Sequence, residues 1–144
     1  MKKFSFPLGR VKDWRETQAR IEESKLERLY AELRAIDAQD AVLREQRSQS
    51  EKSVLSASAN TALELSALHS FCRFAVAEHT RLEHARADCA KRIAAQIQAV
   101  ASRRRDVKLL ERLKDQRLAR WQADLSREID AESDEAFLAK WSRI

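Results

Sequence analysis

Leu65, Leu68, Cys72, Ala75, His79, Leu82, Arg86, Cys89, Ile93, Gln96, Val100, Arg103, Val107, Leu110, Lys114, Arg117 and Trp121 follow one another at alternating steps of three and four residues. Eleven of these seventeen positions are apolar. A seven-residue repeat held over so many turns keeps one stripe facing a partner helix, which is the pattern of a left-handed coiled coil. The spacing predicts a single long helix from about Ala62 to about Trp141.

Upstream, Val11, Trp14, Gln18 and Ile21 form one stripe, and Leu26, Leu29, Leu33, Ile36, Asp40 and Leu43 form a second, offset one. The offset reads as a stutter, a four-residue step that unwinds a supercoil locally without ending the helix. A first helix is therefore expected over about residues 11–51. Between the helices, Ser48 to Asn60 holds five serines and an asparagine. Their side chains compete for local backbone hydrogen bonds and favour turns over helix interiors. Thr61 and Glu64 then match a capping box directly before the leucine-rich stripe. The turn is placed at about residues 52–61.

The only proline and the only glycine are Pro7 and Gly9, so nothing from Arg10 onward supplies the usual chain breakers. Compact folds of this length need tight turns built on such residues. Few, long helices are the expected architecture: one all-α domain, a two-helix antiparallel coiled coil with the second helix longer. At 1.5 Å per residue the helices measure roughly 60 and 120 Å. The first then covers the second only to about Arg103, and the last forty or so residues project. Val107, Leu110, Leu113, Leu118, Trp121, Leu125 and Ile129 lie on that projecting half and want burial, so a partner protein is the expected sink. Self-association through the overhang, or a bend near Asp130 to Asp134, would serve the same need.

The net charge of +5 is unevenly spread. Residues 103–120 carry eight basic and three acidic side chains, whereas residues 121–144 carry three basic and six acidic ones. Adjoining basic and acidic blocks favour electrostatic steering toward a charged partner. Arg103, Arg104, Arg105, Lys108 and Arg112 also suit phosphates, making a nucleic-acid-binding basic coiled coil an alternative. Yet Asp106, Glu111 and Asp115 interleave them, and basic-zipper proteins place the basic region before the zipper rather than inside a repeat. Nucleic acid is not the expected partner.

Other chemistry finds little support. His69 and Cys72 share a helix face, but no further metal ligands cluster there. There is no glycine-rich phosphate loop, and a coiled coil offers no dry pocket in which carboxylates such as Asp134 and Glu135 could act as acids. No catalytic residue, metal or cofactor is expected. Cys72 and Cys89 on one helix would lie roughly 25 Å apart, beyond disulfide reach. Lys2 and Lys3 begin like a signal peptide, but the stretch from Phe4 to Gly9 is too short and broken for an export signal core. A cytoplasmic protein is expected.

The start, Lys3-Phe4-Ser5-Phe6-Pro7-Leu8-Gly9-Arg10-Val11 followed by Trp14-Arg15-Glu16, resembles the opening of the FliJ family of flagellar export proteins, in which alternating phenylalanines precede a long charged helix. Leu110-Glu111-Arg112-Leu113-Lys114-Asp115-Gln116-Arg117 is similar to that family's Leu-Glu-x-Leu-Lys-x-x-Arg segment, and Asp134-Glu135-Ala136 to its closing Asp-Glu pair. Pro7 and Gly9 stand where the family more commonly has polar residues. Stalk proteins of virulence type III secretion are related candidates.

The resemblance implies a non-enzymatic, chaperone-like stalk of the flagellar type III export apparatus, similar to the central stalk of rotary ATPases. Its implied partners are the export ATPase ring, the cytoplasmic domain of the membrane export gate and export chaperones, with the membrane reached only through partners at the inner-membrane apparatus. The implied gate-binding residues are Gln39, Leu43, Gln46, Ser50, Leu68, Cys72, Ala75 and His79. The ATPase-binding residues are expected to be Leu110, Leu113, Arg117 and Trp121, on the stretch that the length mismatch also singles out.

Overall fold

Between Leu55 and Ala62 the backbone leaves the helical region. On either side, the computed structural model, which describes residues 3–143, forms two helices, α1 (Gly9–Leu55, 47 residues) and α2 (Ala62–Trp141, 80 residues). No strand occurs among the described residues. The fold is an all-α, two-helix antiparallel coiled coil, and the start of α2 is where the capping box puts it. Glu64 N donates to Thr61 Oγ1 at 3.2 Å, and Thr61 N donates to Glu64 Oε2 at 3.0 Å. Two amides that helix geometry leaves without partners are thus satisfied reciprocally. The turn is shorter than expected, because residues 48–55 stay helical. Arg47 pairs with Glu51 at 3.0 Å and Gln49 donates to Glu45 at 3.0 Å, so these side chains support the helix from its surface.

Packing divides the chain into two units whose boundaries fall inside the helices: a hairpin unit, Glu22–Ala99, and a terminal unit, formed by the chain up to Ile21 together with Val100 onward.

In the hairpin unit, Leu43, Ala75 and Leu82 are buried together with Ile36 packed against them. Cys89, fully buried, and Ile93 continue the same α2 stripe. Small residues let the helices approach closely, and the Cys89 thiol donates to the Leu29 carbonyl at 3.4 Å. Polar residues occupy seam positions too: Gln96 Nε2 donates to the Glu22 carbonyl oxygen at 2.9 Å and to its carboxylate. Arg92 meets Glu32 at 2.7 Å and Arg86 meets Asp37 at 3.3 Å along the rim. Cys72 and Cys89 are both free thiols.

The terminal unit corrects two expectations. Val11, Trp14 and Ile21, the expected first stripe, are 44%, 53% and 44% exposed. The inward positions of α1 in this unit are instead Lys12, Arg15 and Ala19, after Leu8 at the helix's edge. They continue, in unbroken steps of three and four, the stripe that Glu22, Leu26, Leu29, Leu33 and Ile36 carry in the hairpin unit, so α1 has no stutter. The register was hidden because its seam residues here are charged. Arg15 reaches Asp106 at 3.3 Å, and Lys12 pairs with Glu16 at 2.8 Å beside Glu111. Long aliphatic stems line the seam while the charged heads are paired at its margin.

Coverage of α2 also runs further than Arg103. Ahead of α1, residues 3–6 are non-helical, and the ring of Phe4 sits 5.9 Å from that of Trp121 at 55°. The Arg117 guanidinium lies 6.0 Å from the Phe6 ring. A chain outside a helix can advance up to about 3.3 Å per residue against 1.5 Å for a helix, so a few residues suffice to reach Arg117 and Trp121. Val107, Leu110, Leu113, Leu118, Trp121 and Leu125 are half-buried. From Ser126 to Arg143 every residue is exposed.

Candidate docking surfaces

Two adjoining grooves in the hairpin unit bring α1 and α2 side chains together. One, of about 580 Å³, is lined by Gln46, Gln49, Ser50, Val54, Leu68 and Phe71 among others. The second, of about 410 Å³, is lined by Gln39, Val42, Leu43, Gln46, Phe74 and Leu82. Gln46 belongs to both, and the Phe71 and Phe74 rings are 6.4 Å apart, so the two form one surface. Val42 and Phe74 are 56% and 57% exposed, although both are large and apolar. Apolar side chains beside amide and hydroxyl groups make a surface suited to a partner's amphipathic helix.

Of the eight residues carried over for the export gate, Gln39, Leu43, Gln46, Ser50 and Leu68 line these grooves. Leu43 and Ala75 are buried in the seam, so the accessible part of the set is made by the others. Cys72 is half-buried beside Glu51, its Sγ 3.8 Å from Oε1. His79 faces another cluster. Phe71, Phe74, Val42 and Val54 went unnoticed in the sequence because they lie off the expected stripe; bulky apolar residues placed off a seam were the available signal.

His79 is held between carboxylates from both helices. Its Nδ1 is 2.6 Å from Asp40 Oδ1, and its Nε2 is 3.2 Å from Glu83 Oε1. Arg44 also reaches Asp40 at 3.0 Å, and Asp37 and Arg86 complete a cleft of about 210 Å³. The hydrogen bond to Asp40, with the fields of Asp40 and Glu83, raises the imidazole above its ordinary pKa. The same hydrogen bond, reinforced by the nearby charges of His79 and Arg44, holds Asp40 below the usual carboxylate value. Two carboxylates facing both ring nitrogens favour the doubly protonated imidazolium, the only form in which both nitrogens donate.

In the terminal unit, Leu110 and Leu113 are half-buried, Trp121 is half-buried against Phe4, and Arg117 is exposed above Phe6. The four expected ATPase-binding residues therefore share one part of α2, together with phenylalanines that the overhang argument left out. Among the described residues, no group of three or more histidine, cysteine, aspartate or glutamate side chains is placed to hold a metal ion. No helix among the described residues is long and apolar enough to cross a membrane.

Fold and surfaces define an all-α antiparallel coiled coil that presents apolar and charged side chains along long helices. No family model matches this chain, and neither a curated protein nor a solved structure matches it.

Proposed function

We propose that this chain is a non-enzymatic, cytoplasmic stalk of the flagellar type III protein export apparatus, which binds and promotes the export ATPase ring and links it to the membrane export gate. The observation that carries the reading is the continuous groove surface around Phe71 and Phe74. It exposes large apolar side chains on a two-helix coiled coil, and five of the residues carried over for gate binding line it. The resemblance of Phe4-Ser5-Phe6 and of Leu110 to Arg117 to the FliJ family supports the same reading. In this scheme the hairpin grooves take the export gate. Leu110, Leu113, Arg117 and Trp121, with Phe4 and Phe6 beside them, meet the ATPase.

The test is reconstitution with the export ATPase and the cytoplasmic gate domain of the source cell. The full chain should raise ATP hydrolysis and ring assembly and should retain the gate domain on a column. Phe74→Glu should lose the gate domain while keeping ATPase stimulation, and Arg117→Glu should do the reverse. Unchanged hydrolysis and no gate retention with the wild-type chain would remove the proposal.

A further inference from the structure

On the outward side of α2 in the terminal unit, Arg105 and Trp141 are 36 residues apart, which is about ten turns at 3.6 residues per turn, so they lie on one line along the helix. Between them Leu109, Arg112, Asp134 and Phe137 fall on the same side, and all six are exposed. Leu109, Phe137 and Trp141 are 63%, 62% and 68% exposed, which leaves three large apolar side chains open on one line of the helix.

The stripe is complementary to itself in reverse. A second α2 laid antiparallel with its twofold axis at Ala123 sets Leu109 against Phe137 and Arg112 against Asp134. It also sets the Arg105 guanidinium against the Trp141 ring and Gln116 against Asp130. Arg127, already turned to Asp124 at 3.5 Å, then faces only Ala119. Apolar residues meet apolar ones, bases meet acids, and a small residue sits where two copies of the same position must touch. Twofold symmetry makes each contact occur twice. The base–acid pair on this face, Arg112 with Asp134, forms once in each half of the interface.

We propose that the outward face of α2 between Arg105 and Trp141 is a dimerisation surface whose occupant is the same face of a second copy of this chain, antiparallel and centred on Ala123. Leu110, Leu113, Arg117 and Trp121 lie roughly a third of a turn away around the helix, so this surface is distinct from the one assigned to the ATPase. A strip roughly 54 Å long and about 10 Å wide covers on the order of 500 Å² per copy, the low end for specific interfaces. An interface of this size suits a reversible dimer rather than an obligate one.

Sedimentation equilibrium of the full chain from about 1 to 200 µM should follow a monomer–dimer equilibrium. Arg112→Glu and Asp134→Arg, each placing like charges opposite in both halves of the interface, should weaken dimerisation about tenfold. The chain carrying both changes restores both pairs with their signs exchanged and should recover wild-type association. Circular dichroism checks that helicity is kept, since all these positions are exposed. A monomer throughout the range would overturn the proposal. So would single variants that dimerise like the wild type, or a double variant no better than the singles, because either result puts the contact in another register or on another face.

Discussion

Asp40 Oδ1 lies 2.6 Å from His79 Nδ1, joining α1 to α2 beside the buried Leu82. The contact makes hairpin stability depend on pH. His79 has its pKa raised from an ordinary 6.5, so its contribution is complete below that value and is lost as pH rises through the folded-state pKa. Asp40 is lowered from an ordinary 3.8, so its contribution is present above that value and is lost as pH falls through the folded-state pKa. Stability from this pair is greatest between the two. Urea midpoints should fall as pH rises above 6.5, and in His79→Gln that fall should be much reduced. An unchanged slope in the variant would assign the dependence to other groups.

The capping box supplies a second expectation. Thr61→Ala removes the hydroxyl that accepts from Glu64 N and leaves that amide to water. Loss of such a cap costs about 1 kcal/mol. Thr61→Ser keeps the oxygen and should recover most of the loss in chemical denaturation, which separates the hydrogen bond from general surface effects.

How far the sequence is legible depends on what lines each stretch of seam. In α2 the inward positions from Leu68 to Leu110 are mostly apolar or small, and hydrophobic spacing finds them; Thr61 and Glu64 mark where the helix begins. In the first turns of α1 the inward positions are Lys12 and Arg15, while Val11 and Trp14 look outward. Counting apolar residues there selects the wrong face, because ion pairing with Asp106 and the length of the side chains replace apolar burial. The docking grooves were legible only in part. Gln39, Leu43, Gln46 and Ser50 on α1 were implied by the family resemblance, whereas Val42 and Val54 lie off the expected stripe, and Val42 and Phe74 line one groove only when the helices pair. Phe4 against Trp121 depends on an extended segment that no helical period describes.

The core itself can be tested by size. Leu82 is 3% exposed and packs with Leu43, Ala75 and Ile36, so Leu82→Ala leaves a cavity between two helices and should cost about 2 to 4 kcal/mol. Leu109→Ala, on the exposed outward face, should change monomer stability by less than about 0.5 kcal/mol. Both values come from denaturant titration at protein concentrations below the dimer range. Comparable losses at the two sites would mean that the outward face of α2 is buried in the monomer as well.

The start of the chain is the last element whose role can be isolated. Trp121 is half-buried, whereas Trp14 and Trp141 are 53% and 68% exposed, so the three indoles differ in environment. In a chain carrying Trp14→Phe and Trp141→Phe, emission reports Trp121 alone. Phe4→Ala removes the ring 5.9 Å from it and should shift that emission to longer wavelength and raise acrylamide quenching about twofold, with helicity unchanged, because residues 3–6 lie outside α1. If the extended segment instead left α2 in solution, Trp121 would already emit as an exposed indole and Phe4→Ala would change nothing. The same chain, titrated with the ATPase proposed above as partner, shows whether the phenylalanine segment stays over Trp121 in any complex that forms. A blue shift on binding means that the partner covers the indole more completely than Phe4 does, and a shift equal to that of Phe4→Ala means that the segment has been displaced.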